Sequence, residues 1–288
     1  MSLPTELLLN VLSLFPTREL LPIACTCHRF HDAIIRIIHH RLIAAASLQD
    51  HKLILECFHP STKLITPYLF CDYLGTDGLS DVAGEGEIYS DVKETGRLGK
   101  MAGLYSHFRP VPPEDRRVWK RNHPTGGAVP GVLAKSEEEL VSQTIDLESH
   151  ELFSQLCTIT NLVKVGPNRG LFLSCVNIGD GLTRVWRNWL ADRAAANEKG
   201  IETKEEFESR LLWADSEKHV GLRLRVSRDA DAHAPILLAQ DEDVSVSYKL
   251  EYEELVIRST QLLLKVEESL TQEVESSGKA IVIGSWDY

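Results

Sequence analysis

Leu3-Pro4-Thr5-Glu6-Leu7-Leu8-Leu9-Asn10-Val11-Leu12-Ser13-Leu14-Phe15-Pro16 is the stretch on which the fold turns. Gly is absent from it, and Pro4 sits where a first helical turn tolerates it. Helical residues step around the axis by about 100° each, so Leu7, Leu8, Leu9, Val11, Leu12, Leu14 and Phe15 cover most of the circumference. A helix apolar all round must be buried all round. Pro16 biases Phe15 away from helix and marks a break. A second short helix is expected from about Arg18 to Cys27, with Pro22 within its first turn or so, where the missing N–H does least harm. A third is expected from Phe30 to about Ala46, with Ile34, Ile35, Ile37, Ile38, Leu42 and Ile43 as its apolar positions. Three short helices in 48 residues cannot enclose this much apolar surface, because small domains bury a low fraction of what they have. Either the rest of the chain or a second polypeptide must cover the remainder.

Outward from this segment, residues 49–134 read as a connecting region. Leu53-Ile54-Leu55, Leu64-Ile65 and Tyr68-Leu69-Phe70 suggest short elements, and residues 75–131 are so rich in Gly and Pro that long loops are expected. From about residue 139 the apolar residues fall into period two. Leu222, Leu224 and Val226 alternate with Arg223, Arg225 and Ser227, and Val244, Val246, Tyr248, Leu250 and Tyr252 alternate with polar neighbours. Leu171 to Val176 and Leu182 to Leu190 also read as strands, and a helical interruption is expected near Thr203 to Leu212. Beyond Glu253 the phase slips to Leu255 and Ile257, which predicts a bulge or tight turn at Glu253-Glu254. The fold class expected is α+β: three N-terminal helices, then a mainly antiparallel β-sandwich over residues 135–288.

The chain has 288 residues, 43% hydrophobic and 25% charged, with a formal net charge of -11. Such a balance supports a sizeable core and argues against binding nucleic acid or anionic membranes. No apolar run approaches the roughly 20 residues of a membrane span, and the first residues carry no basic run, so no signal peptide is expected. Six scattered cysteines, Cys25, Cys27, Cys57, Cys71, Cys157 and Cys175, fit thiols in a reducing compartment better than a disulfide framework. Cytoplasm or nucleus is the expected location.

The opening stretch, continued by Glu19-Leu20-Leu21 and by Thr26-Cys27-His28-Arg29-Phe30, resembles the F-box in a collinear, ungapped way. The family pattern is a Leu-Pro-x-Glu-Leu opening, an apolar pair before a Pro, a Leu-Leu pair, and a Cys-Arg-Arg-Phe-like segment. Here His28 replaces a basic residue, Thr26 an aliphatic one, and the late Trp of the family is missing from Ile37 to Arg41. The resemblance covers about the first 45 residues. It implies a three-helix module, over residues 1–48, that inserts an apolar face into the Skp adaptor and so joins a cullin–RING ubiquitin ligase. Carried over, Pro4, Leu7, Leu8, Val11, Leu20, Leu21, Cys27 and Phe30 form the adaptor-facing or immediately supporting surface. The whole-chain plan resembles F-box proteins of filamentous fungi, and the C-terminal part is faintly similar to F-box-associated and phloem-lectin sandwiches, which bind glycans or glycoproteins in some members. The function implied is a non-catalytic substrate receptor; the alternative is a glycan- or ligand-binding sandwich with a structural F-box region.

Other constellations have blander readings. Cys25, Cys27, His28 and His31 diverge around a helix too far to converge on zinc. Arg109, Arg116, Arg117, Lys120, Arg121 and His123 surround Trp119, a basic patch able to meet an acidic or phosphorylated client. Trp186 and Trp189, read as one strand, fall on opposite faces, so at most one lines a pocket. The client-binding candidates are therefore Trp186, Trp189, Trp213, Trp119 and Arg117. Asp241-Glu242-Asp243 precedes a strand and reads as a solvated turn, and Gly166 to Gly170 is a strand-connecting turn lacking a phosphate-loop ending. No nucleophile elbow, zinc-protease motif or dinucleotide fingerprint occurs, so no catalytic residue, metal or cofactor is expected.

Overall fold

The computed structural model describes residues 4–62, 66, 68–78, 96–111, 140–166, 171–199, 210–229 and 245–275. The three expected helices are present: α1 (Thr5–Leu12), α2 (Thr17–Ala24) and α3 (His28–Ala46). Pro4 and Pro16 stand immediately before α1 and α2, where a missing N–H costs no helical bond. α2 starts one residue earlier than expected, so Pro22 is its sixth residue, and the helix stops at Ala24, short of the expected Cys27.

The rest of the described chain is an antiparallel sheet with helices laid against it. Its strands are β1 (His51–Phe58), β2 (Leu69–Thr76), β3 (Tyr105–Val111), β4 (Ser142–Leu147), β5 (Phe153–Val165), β6 (Phe172–Trp186), β7 (Leu211–Trp213), β8 (Val220–Arg228) and β9 (Val246–Arg258). Three further helices are α4 (Arg97–Ala102), α5 (Arg187–Lys199) and α6 (Ser259–Glu275). The hydrogen-bonded order is β6-β5-β1-β2-β3-β9-β8-β7, with β4 also paired to β9. The α+β class and antiparallel pairing are as the alternation predicts.

Three findings differ from the sequence reading. Strands β1, β2 and β3, from the stretch expected to be a connector, sit in the middle of the sheet, so a boundary at residue 134 does not separate it from what precedes. Period two was invisible in β1 because Leu53, Ile54 and Leu55 are all buried: a second small cluster of Val163, Phe172, Tyr68 and Phe70 covers Ile54 on the outer face. Finally, the run expected as a strand from Leu182 to Leu190 ends at Trp186 and turns into α5. The expected helix at Thr203 to Leu212 falls mostly outside the described residues, and Leu211 and Leu212 are in β7.

The sheet curls until its two ends nearly meet. Thr183 Oγ1 of β6 donates to the carbonyl of Trp213, the last residue of β7, at 3.3 Å. A Cβ on Gly181 would lie 1.8 Å from the Ala214 carbonyl oxygen, so this close approach requires glycine. Inside the curl lie Leu53, Leu55, Phe108, Leu156, Leu222, Leu250, Tyr252 and Ile257, and α5 adds Leu190 and Ala194. Helix α6 serves two cores at once: Leu262 belongs to the sheet interior, Leu263 to the helical cluster of Leu8, Leu12, Leu20, Ile34, Ile38 and Leu42. Burial of Cys57 and Cys71 in the sheet interior raises both thiols, Cys57 to about 11, which leaves them protonated and inert.

Candidate functional site

The helical cluster buries one side of α1 and α2 and leaves the other open. Leu8, Leu12 and Leu20 point inward, whereas Leu7 and Val11 are each 51% exposed, Leu14 83%, Phe15 38% and Leu21 47%. Pro4, Pro22 and Cys27 are exposed too, and Phe30 is half buried against the cluster. Among the described residues, five of the twelve large hydrophobics left exposed therefore lie between positions 7 and 21. Leu7 and Val11, four residues apart, share one face of α1, and Leu14 follows in the turn after the helix. The inferred surface thus divides: Pro4, Leu7, Val11, Leu21 and Cys27 are open to a partner, and Leu8 and Leu20 support them from beneath.

A polar clamp fixes the α1–α2 turn that carries Leu14 and Phe15. Arg41 of α3 donates to the carbonyls of Ser13 (2.9 Å) and Phe15 (2.8 Å), and to Glu267 of α6 at 3.0 Å. Glu267 also accepts from the Thr17 backbone N–H (3.0 Å) and hydroxyl (2.6 Å). It thereby supplies the capping oxygen that Pro16 cannot offer α2. The carboxylate and guanidinium are mostly buried, which makes this a charge-assisted network and not a loose surface pair.

Residues 1–43 match the F-box-like family model. The match covers the F-box-like helices, including the open strip, and supports an F-box protein; such proteins are in general non-catalytic adaptors. No curated protein and no solved structure matches the chain.

The second feature lies on the outer face of the sheet, and none of its lining residues belongs to α1, α2 or α3. The predicted slip occurs in β9: Arg223 pairs with Glu254 and Leu224 with Tyr252, leaving Glu253 as the extra residue. A bulge of this kind turns two consecutive side chains to one face, and both glutamates are answered there. Glu253 accepts from Arg225 at 2.9 Å and Arg210 at 3.3 Å; Glu254 pairs with Arg223 and with His107 Nδ1, 3.1 Å away. His107 Nε2 reaches Asp77 at 3.1 Å. The Glu254 hydrogen bond raises the His107 pKa above its ordinary value, with burial opposing and Asp77 assisting. The same bond pulls Glu254 down, with Arg223 beside it.

Asp77, His107, Glu254 and Arg223 form one wall of a pocket of about 950 Å³ whose other wall is aromatic. Tyr105 and Trp213 lie with ring centroids 5.4 Å apart, and Arg258 and Lys218 flank their faces. Of the candidate client residues, Trp213 is therefore at a pocket. Trp186 is in a separate exposed patch, 5.2 Å from the Phe153 ring, beside Leu182 and Arg184 on the outer side of β6. Trp189 is in α5 and is half buried, packed against the sheet interior; the helical turn after Trp186, not strand alternation, separates the two indoles. Trp119 and Arg117 lie outside the described residues, as do Arg116, Lys120, Arg121, His123 and Asp241 to Asp243; Arg109 is in β3. Sequence reasoning missed Tyr105, His107 and Asp77, which stand in a Gly-rich stretch. The outward charges Arg223 and Glu254 were visible only as polar alternates in their strands.

A buried serine–histidine pair bears on catalysis. Ser269 Oγ lies 3.0 Å from His51 Nε2, whose Nδ1 is 2.9 Å from the Gln49 carbonyl, and Ser174 bonds to Ser269. Ser269 and Ser174 have no exposed surface, so no substrate reaches them. They tie α6 to β1 and β6.

Proposed function

We propose that the chain is the substrate-receptor subunit of an SCF-type cullin–RING ubiquitin ligase. The F-box-like helices hold a Skp-type adaptor, the β-rich domain holds a protein client, and ubiquitin transfer happens elsewhere on the assembly. The receptor contributes proximity, raising the effective concentration of client lysines near the charged ubiquitin carrier. No residue of this chain performs acid–base chemistry in that scheme, and its place of work is the cytoplasm or nucleus.

The observation that carries this reading is the strip of Leu7, Val11, Leu14, Phe15 and Leu21, which stays exposed among the described residues. A contiguous apolar strip on a rigid helical scaffold is what a docking partner covers. The F-box-like match over residues 1–43 supplies the kind of partner. At the client end, the Tyr105–Trp213 pocket and the Trp186–Phe153 patch are the two surfaces with aromatic anchors. The test is copurification with the adaptor. Leu7→Asp combined with Leu21→Asp places two charges on open positions, so the fold is retained and adaptor recovery falls at least about a hundredfold. Undiminished recovery would remove the proposal.

A second reading, a glycan- or ligand-binding domain with a structural F-box, is favoured by one observation: the pocket joins an aromatic pair to a hydrogen-bonding rim of Asp77, Thr76 and His107. Glycan-array binding by the whole chain, lost in Trp213→Ala, together with no adaptor binding, would select it.

A further inference from the structure

The open strip does not stop where the F-box-like match stops. Leu14, Phe15 and Pro16 form one wall of a groove of about 640 Å³, and Val266, Glu267 and Leu270 of α6 form the other. Along α6, Leu263 and Val266 belong to the helical cluster, yet the next apolar positions on that face are open: Leu270 is 44% exposed and Val274 78%. The three- and four-residue steps from Leu263 through Val266 and Leu270 to Val274 keep these residues on one stripe. Its first half is buried by the chain's own helices, and its second half is exposed among the described residues.

Resting on the proposed function, we propose that the adaptor footprint extends off the F-box-like helices onto α6, with Leu270 and Val274 as adaptor contacts. Continuity is the ground for assigning them to the same partner. Leu7, Val11 and Leu14 lead along α1 and its turn to the groove, and Leu270 and Val274 lead away from it. No hinge lies between the halves. Arg41 holds the Ser13 and Phe15 carbonyls and Glu267 together, and Glu267 holds Thr17, so the α1–α2 turn and α6 move as one body. A protein seated on Leu14, the most exposed residue of the strip, closes the groove and meets Leu270 on its far wall. Lys164 pairs with Glu273 at 2.6 Å, giving this end of the stripe the polar border expected around an interface core. Sequence distance hides the relation, since the two halves of the face lie some 250 residues apart, the separation of the Thr17–Glu267 bond.

The experiment measures adaptor affinity of the full chain by calorimetry, with a purified Skp-type adaptor as the probe. Leu270→Glu with Val274→Glu alters exposed positions only, so the melting temperature stays at the wild-type value. Affinity is expected to fall about tenfold or more. Leu152→Glu, at an exposed leucine of the β-domain, serves as control and binds as wild type. Adaptor-dependent protection of residues 266–275 from hydrogen exchange would support the footprint directly. Wild-type affinity in the α6 double variant, with binding abolished in Leu7→Asp/Leu21→Asp, overturns the extension and leaves the receptor reading standing. No adaptor binding by the wild-type chain overturns both. If the α6 substitutions dissolve a self-associated form without changing adaptor affinity, a second copy covers the stripe and the inference falls.

Discussion

In α2, Leu20 has no exposed surface and sits in the cluster with Leu8, Leu12 and Ile34, while Leu21 beside it is 47% exposed. A carboxylate at position 20 has no partner and no water. Leu20→Asp is therefore expected to cost about 4 kcal/mol or more and to lower the melting temperature sharply. Leu21→Asp leaves the denaturation midpoint near wild type and removes adaptor binding; paired denaturant melts and pull-downs separate the two. On the outer face, His107 sets a pH dependence. Because its folded pKa lies above 6.5, its contribution to stability is complete below 6.5 and is lost as pH rises through the raised value. Glu254, lowered from 4.5, contributes fully above 4.5 and loses that contribution as pH falls through its lowered value. Melting temperatures of the wild type should drop as pH rises above 6.5, and His107→Gln should flatten that limb of the curve. A wild-type curve parallel to that of the variant would mean the histidine's two carboxylate bonds do not hold its proton.

At the scale of elements, two contacts set the geometry of the open surfaces. The seam between β6 and β7 depends on Gly181, where a Cβ meets the Ala214 carbonyl. Gly181→Val is expected to destabilise by about 2 kcal/mol or more, because backbone and not a flexible side chain must move. It should also disturb Trp213, whose carbonyl receives Thr183, so indole fluorescence is a second readout. The Glu267 clamp joins α2, α3 and α6. Glu267→Ala removes charge-assisted bonds to Thr17 and Arg41 and uncaps α2, for an expected loss of about 1.5–3 kcal/mol. Helices α1 to α3 should then exchange amide hydrogens faster, while the protection of β1 and β5 stays unchanged.

For the whole molecule, the order β6-β5-β1-β2-β3-β9-β8-β7 means that a fragment of residues 135–288 lacks the three strands joining β5 to β9. Such a fragment is expected to show no cooperative thermal transition, whereas the full chain does; calorimetry of both decides. Removing residues 1–48 has a milder but related cost, since Leu263 and Met101 lose the helices that cover them. The F-box-like helices and the sheet are therefore not independent modules on a string. One helix, α6, packs against both and fixes the open strip relative to the sheet.

Local periodicity determined a good deal by itself. The apolar excess of α1, the helical break at Pro16, the alternation of β8 and β9 and the bulge at Glu253 are all local patterns, written within a few neighbouring residues. The F-box-like character is equally local, confined to residues 1–43. Tertiary structure alone decided which apolar residues remain open. Leu7 and Leu8, or Leu20 and Leu21, are indistinguishable by composition, and only the packing of α3 and α6 against α1 and α2 turns one of each pair outward. It alone recruited β1 to β3, because strands buried on both faces lose their period, and it alone brought His107, Asp77, Tyr105 and Trp213 to one pocket. Side chains that meet through long-range strand pairing leave no trace in a window of sequence, since the free energy joining them comes from a sheet that spans two hundred residues and not from their neighbours.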